Sequence, residues 1–123
     1  MAAILLIEDD SLLQELYNGK LTDEGFEAVV AGDGERGLHL LKSERFDLIL
    51  LDIMLPGGIN GFDVLEVIKR DNNLKQIPVV VLTNLESEEK VAREIGAVDY
   101  FIKAKVSPSQ IINRIKEILT LKQ

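Results

Sequence analysis

The sequence predicts an α/β fold in which a parallel five-stranded sheet is covered by helices on both faces. Five short apolar runs alternate with longer stretches of amphipathic pattern, and the runs are rich in Val, Ile and Leu with little polar alternation. Such runs are typical of strands that are buried on both faces. Because right-handed crossovers restrict the topologies of parallel sheets, we expect the flavodoxin-like (βα)5 three-layer sandwich with strand order 2-1-3-4-5.

The predicted strands follow one another at intervals that leave room for a helix between each pair. They are the segments AILLI (3–7), EAVVA (27–31), DLILL (47–51), PVVVL (78–82) and DYFI (99–102). Regular alternation of strand and helix is typical of a chain with one parallel sheet. No internal repeat or linker-like segment interrupts the alternation, so we expect residues 1–123 to form one domain.

The segments between the strands have the three-and-four spacing of amphipathic helices. Apolar faces of this kind are formed by Leu13, Leu16, Tyr17 and Leu21 in the first segment and by Ile111, Ile112, Ile115, Ile118 and Leu119 in the last. Ser11 and Gln14 have the spacing of a capping box at the start of the first helix. Pro108 suits the first turn of the last helix, and Gly25 and Gly96 are placed to end helices.

Composition and charge narrow the functional classes. The 123 residues carry a formal net charge of −7, which would repel a nucleic-acid backbone, so we expect no direct nucleic-acid binding. The chain has no cysteine, which excludes disulfides and thiolate metal sites. Its start, MAAILLIEDD, lacks the regions of a signal peptide, and no run approaches the ~20 apolar residues of a membrane span. We therefore expect a cytoplasmic domain that does not engage a membrane.

Ionisable and hydroxyl side chains stand where four of the predicted strands end. The acidic triplet 8–10 follows the first strand, Asp52 follows the third, Thr83 the fourth and Lys103 the fifth. In an open parallel sheet the carboxyl ends of the strands lie at one edge, and sites form there at the point where the strand order reverses, between strands 1 and 3. Topology alone therefore predicts one site that contains carboxylates, a hydroxyl and an ammonium group.

The acidic residues at this edge suit a hard cation. Mg²⁺ takes oxygen ligands, and the chain offers clustered carboxylates with no cysteine and no nearby histidine. We predict that Glu8, Asp9 and Asp52 hold Mg²⁺ and that the main-chain carbonyl of Met54 completes its coordination. Asp10 is better explained as an acid that caps the following helix and favours its dipole.

The same edge suits phosphoryl chemistry. A carboxylate can attack phosphorus and form an acyl phosphate, and Asp52 is the predicted nucleophile because it ends the central strand. Thr83 would donate a hydrogen bond to one phosphoryl oxygen, and Lys103 would pair with another. Catalytic roles are thus predicted for Asp52, Thr83 and Lys103.

Four motifs, IEDD, DLILLDIMLPG, VVVLT and GAVDYFIK, resemble those of response-regulator receiver domains in two-component signalling, and the resemblance covers essentially the whole chain. It implies that Asp52 accepts a phosphoryl group from the phosphohistidine of a sensor histidine kinase or phosphotransfer protein. It also implies that the domain is not an enzyme beyond its own phosphorylation and dephosphorylation. The chain looks like a stand-alone receiver domain, with no output domain visible in residues 1–123.

The resemblance further implies a switch. Thr83 matches the switch hydroxyl and Tyr100 the switch aromatic, so the acyl phosphate draws Thr83 toward Asp52 and Tyr100 moves into the space that opens. The surface of the fourth helix, fifth strand and fifth helix then binds a downstream protein differently. Such a mechanism shifts the populations of two states.

Two departures from the family pattern leave alternatives open. The family usually has a cis-bonded proline after its lysine, whereas Ala104 follows Lys103, so this bond could be trans or cis. The segment 84–97 is short, and we expect a trimmed fourth helix. One alternative is a pseudo-receiver that is not regulated by phosphorylation. Another is a Mg²⁺-dependent phosphohydrolase, although Met54 stands where such enzymes place a second aspartate.

Overall fold

The computed structural model describes residues 1–121 as a five-stranded parallel sheet between two layers of helices. The strands are β1 (Ala3–Ile7), β2 (Glu27–Ala31), β3 (Leu48–Leu51), β4 (Val79–Thr83) and β5 (Asp99–Ile102). The helices are α1 (Ser11–Asp23), α2 (Gly34–Ser43), α3 (Gly61–Arg70), α4 (Glu89–Ile95) and α5 (Pro108–Leu121), and a 3₁₀ turn spans Lys103–Lys105. The strand order is β2-β1-β3-β4-β5, so the predicted flavodoxin-like topology is confirmed.

The register of the sheet aligns the carboxyl ends of neighbouring strands. Ile7 at the end of β1 pairs with Leu51 at the end of β3, so Glu8 and Asp52, which follow these residues, leave the sheet side by side. The last residues of β4 and β5 also pair with each other. β4 begins one residue later than predicted, after Pro78, which has no N–H to donate to the ladder.

Two apolar cores lie on the two faces of the sheet, because successive strand residues point to opposite faces. On one face α2, α3 and α4 cover the strand residues Leu5, Ile7, Ile49, Leu51, Val79 and Val81. On the other face α1 and α5 cover the strand residues Ile4, Leu6, Leu48, Leu50, Val80 and Leu82. Burial on both faces is why the central strands have no polar alternation.

The helix ends show one wrong prediction and several confirmed ones. The capping box of Ser11 and Gln14 is wrong, because Asp10 is the N-cap of α1 and its carboxylate accepts from the N–H groups of Leu12 and Leu13. Pro108 opens α5, Gly25 follows α1 with a φ of 88°, and Gly96 caps the C-terminus of the seven-residue α4 with a φ of 140°. No helix within residues 1–121 is long and apolar enough to cross a membrane.

Candidate functional site

The acids that end β1 and β3 meet the lysine that follows β5. Lys103 Nζ lies 2.8 Å from Glu8 Oε1 and 2.7 Å from Asp52 Oδ2. The side chains of Glu8 and Asp52 are only 2% and 4% exposed, and that of Lys103 is 15% exposed. One ammonium group therefore bridges two buried carboxylates that come from neighbouring strands, at the point where the strand order reverses.

Glu8 has a hydrogen-bond partner at every polar atom. Its Oε1 accepts from Lys103, and its Oε2 accepts from the main-chain N–H of Asp10 at 3.0 Å. Its carbonyl oxygen accepts from Gln14 Nε2 at 2.6 Å, and its own N–H donates to the carbonyl of Ala31 at 3.0 Å. The position of Glu8 is thus determined by β2, α1 and the turn after β5 together.

The pKa values of Glu8 and Lys103 are both raised, but for different reasons. Burial raises the pKa of Glu8 above its ordinary value, although the hydrogen bonds from Lys103 and from Asp10 act against this rise. Burial alone would lower the pKa of Lys103, but its hydrogen bonds to Asp52 and Glu8 outweigh burial and raise that pKa. Lys103 is therefore firmly protonated, and Glu8 is the carboxyl whose charge depends on keeping this partner.

Asp9 is the exposed member of the acidic group. Carboxylate oxygens of Glu8, Asp9 and Asp52 all lie within 4.8 Å of one another. A compact set of oxygen donors with this much negative charge fits Mg²⁺, which is usually held by one or two carboxylates together with water and phosphate oxygens. Of the residues predicted to bind the metal, the structure thus brings together the three acids.

The loop after β3 is built around Asp52. Asp52 Oδ1 accepts a hydrogen bond from the main-chain N–H of Met54 at 3.0 Å, while the Met54 side chain is 55% exposed. The loop closes where the N–H of Gly61 donates to the carbonyl of Ile53 at 2.8 Å. A Cβ atom at Gly61 would lie 2.2 Å from the carbonyl oxygen of Asp52, so only glycine fits there. The start of α3 therefore packs directly against the backbone of Asp52, the predicted nucleophile.

Thr83 and Tyr100, the residues predicted to form the switch, both bond to the loop that precedes α4. Thr83 is fully buried, and its hydroxyl oxygen accepts a long hydrogen bond of 3.4 Å from the N–H of Leu85. Tyr100 is 6% exposed, and its hydroxyl donates to the carbonyl of the same Leu85. Leu85, which sequence reasoning missed, is thus a contact that the two residues share.

The turn after β5 carries the lysine without a cis peptide bond. No cis bond occurs within the described residues 1–121, so the bond from Lys103 to Ala104 is trans. The 3₁₀ turn begins at Lys103 itself, and from that position the side chain reaches both carboxylates. The absence of the family's usual proline therefore does not turn the ammonium group away from the site.

A second charged cluster lies on the surface formed by α4, β5 and α5. Asp99 at the start of β5 accepts from Arg93 Nη2 of α4 at 2.8 Å and from Arg114 Nε of α5 at 2.7 Å. Burial alone would raise the pKa of Asp99, but hydrogen bonds from the N–H of Tyr100 and from both arginines hold it below its ordinary value. Sequence reasoning missed this cluster, because only the spacing of Glu89 and Arg93 within α4 was visible in the sequence.

The fold and this site together define a receiver domain of two-component signalling. The family model of the response regulator receiver domain matches residues 4–116, and the chain belongs to that family. It is therefore a signalling domain rather than a classical enzyme. Among the described residues nothing favours the pseudo-receiver alternative, since the acidic cluster and the lysine are both in place.

Curated relatives share the sequence of this domain. The transcriptional regulatory protein AfsQ1 of Streptomyces coelicolor is 43% identical over 105 residues, which cover 84% of this chain and 45% of AfsQ1. The phosphate regulon transcriptional regulatory protein PhoB of Klebsiella pneumoniae is 39% identical over 118 residues, which cover 94% of this chain and 51% of PhoB. The chain thus spans about half the length of these relatives.

Solved structures share the fold. The receiver domain of Francisella response regulator 1452 superposes with a TM-score of 0.92 at 25% identity over the whole of both chains. The response regulator TrrA of Thermotoga maritima, in a complex with Mg²⁺ and BeF, superposes with a TM-score of 0.84 at 28% identity over 95% of this chain and 98% of TrrA.

Proposed function

We propose that this chain is a phosphoacceptor domain in which Asp52 takes a phosphoryl group from a phosphohistidine and thereby changes how a protein partner binds. The observation that carries the proposal is the Lys103 bridge, in which an ammonium group lies 2.7 Å from Asp52 Oδ2 beside two further acids. Three carboxylates against one ammonium leave two negative charges at the site. A divalent cation would balance these charges, and a phosphoryl group would then find both a nucleophile and cations.

Mg²⁺ is the ion that we propose for this site. Glu8, Asp9 and Asp52 would hold it, with the main-chain carbonyl of Met54 as a further ligand. The donors are oxygen atoms, as Mg²⁺ requires, and the fit of this chain to the Mg²⁺ complex of TrrA supports the choice. When bound, the ion neutralises charge on the phosphoryl oxygens.

The proposed transfer converts a phosphohistidine into an acyl phosphate. A carboxylate oxygen of Asp52 attacks phosphorus, the P–N bond breaks, and its electron pair returns to the imidazole nitrogen of the donor protein. Before the transfer Lys103 pairs with the carboxylate of Asp52, and after it Lys103 pairs with a phosphoryl oxygen. Dephosphorylation ends the signal: water attacks phosphorus, the bond to Asp52 breaks, its electron pair returns to the carboxylate, and inorganic phosphate leaves. The domain thus promotes its own phosphorylation and dephosphorylation only.

We propose that Thr83 and Tyr100 transmit this event. The Thr83 hydroxyl would donate to a phosphoryl oxygen, at the expense of its long 3.4 Å contact with the N–H of Leu85. Because Tyr100 bonds to the carbonyl of Leu85, a shift of this loop alters the packing of Tyr100 against α4. The surface formed by α4, β5 and α5 would therefore present a different shape to a downstream protein.

The partners that we propose are proteins. A sensor histidine kinase or phosphotransfer protein donates the phosphoryl group, and a downstream protein binds the surface of α4, β5 and α5. The net charge of −7 supports a protein rather than a nucleic acid as the direct partner. We also propose that residues 1–123 form one receiver domain and that it acts in the cytoplasm.

Phosphorylation by a small donor tests the proposal. The purified chain is incubated with Mg²⁺ and acetyl phosphate, and its intact mass is measured. We expect one phosphoryl adduct that disappears with a chelator and in Asp52→Asn. Asp47→Asn is the matched control, because Asp47 precedes the same strand at the opposite edge of the sheet, and this variant should be modified like the wild type. No adduct on the wild type, or an adduct that persists in Asp52→Asn, would overturn the proposal.

A further inference from the structure

We infer that Gln14 is a positioning residue that sets the Mg²⁺ affinity of the acidic site by orienting Asp9. The inference rests on the proposed function, because it concerns the same ion. Gln14 lies in the first turn of α1 and is half-buried. Its side-chain amide turns back toward the connection between β1 and α1, where Nε2 lies 2.6 Å from the carbonyl oxygen of Glu8.

That carbonyl belongs to the peptide group that joins the two acids of the pair. A peptide group is planar, so holding its oxygen also fixes the direction in which the chain enters Asp9. Within residues 1–121 no group donates a hydrogen bond to the Asp9 carboxylate, and its side chain is exposed. The orientation of this ligand therefore depends on its backbone, and Gln14 holds that backbone from the side of α1.

The amide of Gln14 lies between two connections of the sheet. A Cβ atom at Gly32, which follows β2, would lie 3.8 Å from Gln14 Nε2, so the amide is close to the backbone there. On the β1 side, the N–H of Glu8 donates to the carbonyl of Ala31, the last residue of β2. Glu8 is thus tied to β2 through the peptide group that precedes it and to α1 through the peptide group that joins it to Asp9.

Gln14 is not needed to start the helix. Asp10 already caps α1 through the N–H groups of Leu12 and Leu13, at 2.9 and 3.3 Å. A half-buried amide that does not cap its helix, yet bonds to the peptide of a metal-binding pair, is in the position of the outer groups that orient metal ligands. Losing such a group usually costs about tenfold or more in metal affinity.

Calorimetric titration with Mg²⁺, well below the melting temperature, tests the inference. Gln14→Met keeps the length and helix propensity of the side chain but removes the donor, and we expect its Kd for Mg²⁺ to rise about tenfold. Gln14→Ala should change the Kd in the same direction. Asn18→Met is the matched control, because it removes an exposed amide one turn further along α1, and its Kd should equal that of the wild type.

Phosphorylation by acetyl phosphate adds a readout that a merely structural role would not give. In Gln14→Met the Mg²⁺ concentration for half-maximal rate should rise by the same factor as the Kd, while the rate at saturating Mg²⁺ stays that of the wild type. A folded Gln14→Met and Gln14→Ala pair with unchanged Kd would overturn this inference alone. If the wild type binds no Mg²⁺ at all, the proposed function fails and this inference fails with it.

Discussion

Replacing Lys103 by methionine tests how much the lysine stabilises the folded protein by pairing with the buried acids. Methionine keeps most of the apolar stem and removes the charge, which leaves the carboxylates of Glu8 and Asp52 within 4.8 Å of each other. At an effective dielectric constant of about 20, two like unit charges at that distance repel by about 3.5 kcal/mol. Removing one partner from a buried ion pair costs about 3–5 kcal/mol. We therefore expect Lys103→Met to lower the free energy of unfolding by about 3 kcal/mol at neutral pH.

The size of this loss depends on pH, and its sign follows from Glu8. Burial raises the pKa of Glu8, and the hydrogen bond and charge of Lys103 oppose that rise, so the variant has a Glu8 pKa that is higher still. A carboxyl group with a raised pKa in the folded state makes stability fall as pH rises from its unfolded to its folded pKa. The deficit of Lys103→Met is therefore largest above the folded pKa and shrinks as pH falls toward the ordinary value of 4.5.

Urea denaturation of the two proteins at neutral pH and at about pH 5 measures this deficit. Lys105→Met is the matched control. Lys105 lies in the same 3₁₀ turn and pairs with Glu86, but the two side chains are 70% and 60% exposed, so its loss should cost less than about 1 kcal/mol. The reasoning is refuted if Lys103→Met is as stable as Lys105→Met at neutral pH, or if its deficit grows on acidification.

Three further outcomes are expected. In thermal scans, Mg²⁺ at a hundredfold excess over the wild-type Kd should stabilise the wild type by about 2.7 kcal/mol. At the same Mg²⁺ concentration, a tenfold weaker binding by Asp9→Ala would reduce this stabilisation to about 1.4 kcal/mol. Gly61→Ala should lose about 1–3 kcal/mol in urea, because its methyl group meets the backbone of Asp52 and Ile53 just after β3, whereas Gly58→Ala, with open space around it, stays within about 0.5 kcal/mol. Asp99→Asn should cost about 1–2 kcal/mol at neutral pH. Since the pKa of Asp99 is lowered in the folded state, this cost should begin to shrink in urea titrations below the ordinary value of 3.8 and vanish below the folded-state pKa, where the wild type has lost the same charge.

The sheet could be predicted because its determinants are local in the sequence. Unbroken apolar runs indicated strands that are buried on both faces, and the handedness of crossovers left few orders for five of them. The observed strand bounds lie within one residue of the predicted ones, and Pro78, which has no N–H for the ladder, lies just before β4 rather than in it. The meeting of Glu8, Asp52 and Lys103 followed from topology alone, because parallel strands end at one edge.

The hydrogen bonds within the site could not be predicted in the same way. Four adjacent polar residues, 8–11, precede or open α1, and spacing does not show which of them takes the extended conformation of a cap. Asp10 takes it, so Ser11 becomes the first helical residue and Gln14 is left to bond to Glu8 instead. The pairing of Asp99 with two arginines depends on how α4 and α5 pack around β5, and sequence distance carries no information about that packing.

The path from the acidic site to the outer surface runs along β5. Lys103 bonds to Asp52, Tyr100 bonds to the loop before α4, and Asp99 ties β5 to α4 and α5, all within five consecutive residues, 99–103. A change in the bonds of Lys103 at one end of this segment would therefore act on the same strand that carries the contacts of the outer surface. Coupling between two sites is reciprocal in free energy. It follows that a partner which binds the surface of the phosphorylated domain more tightly must stabilise the acyl phosphate form by the same factor, relative to the unmodified domain.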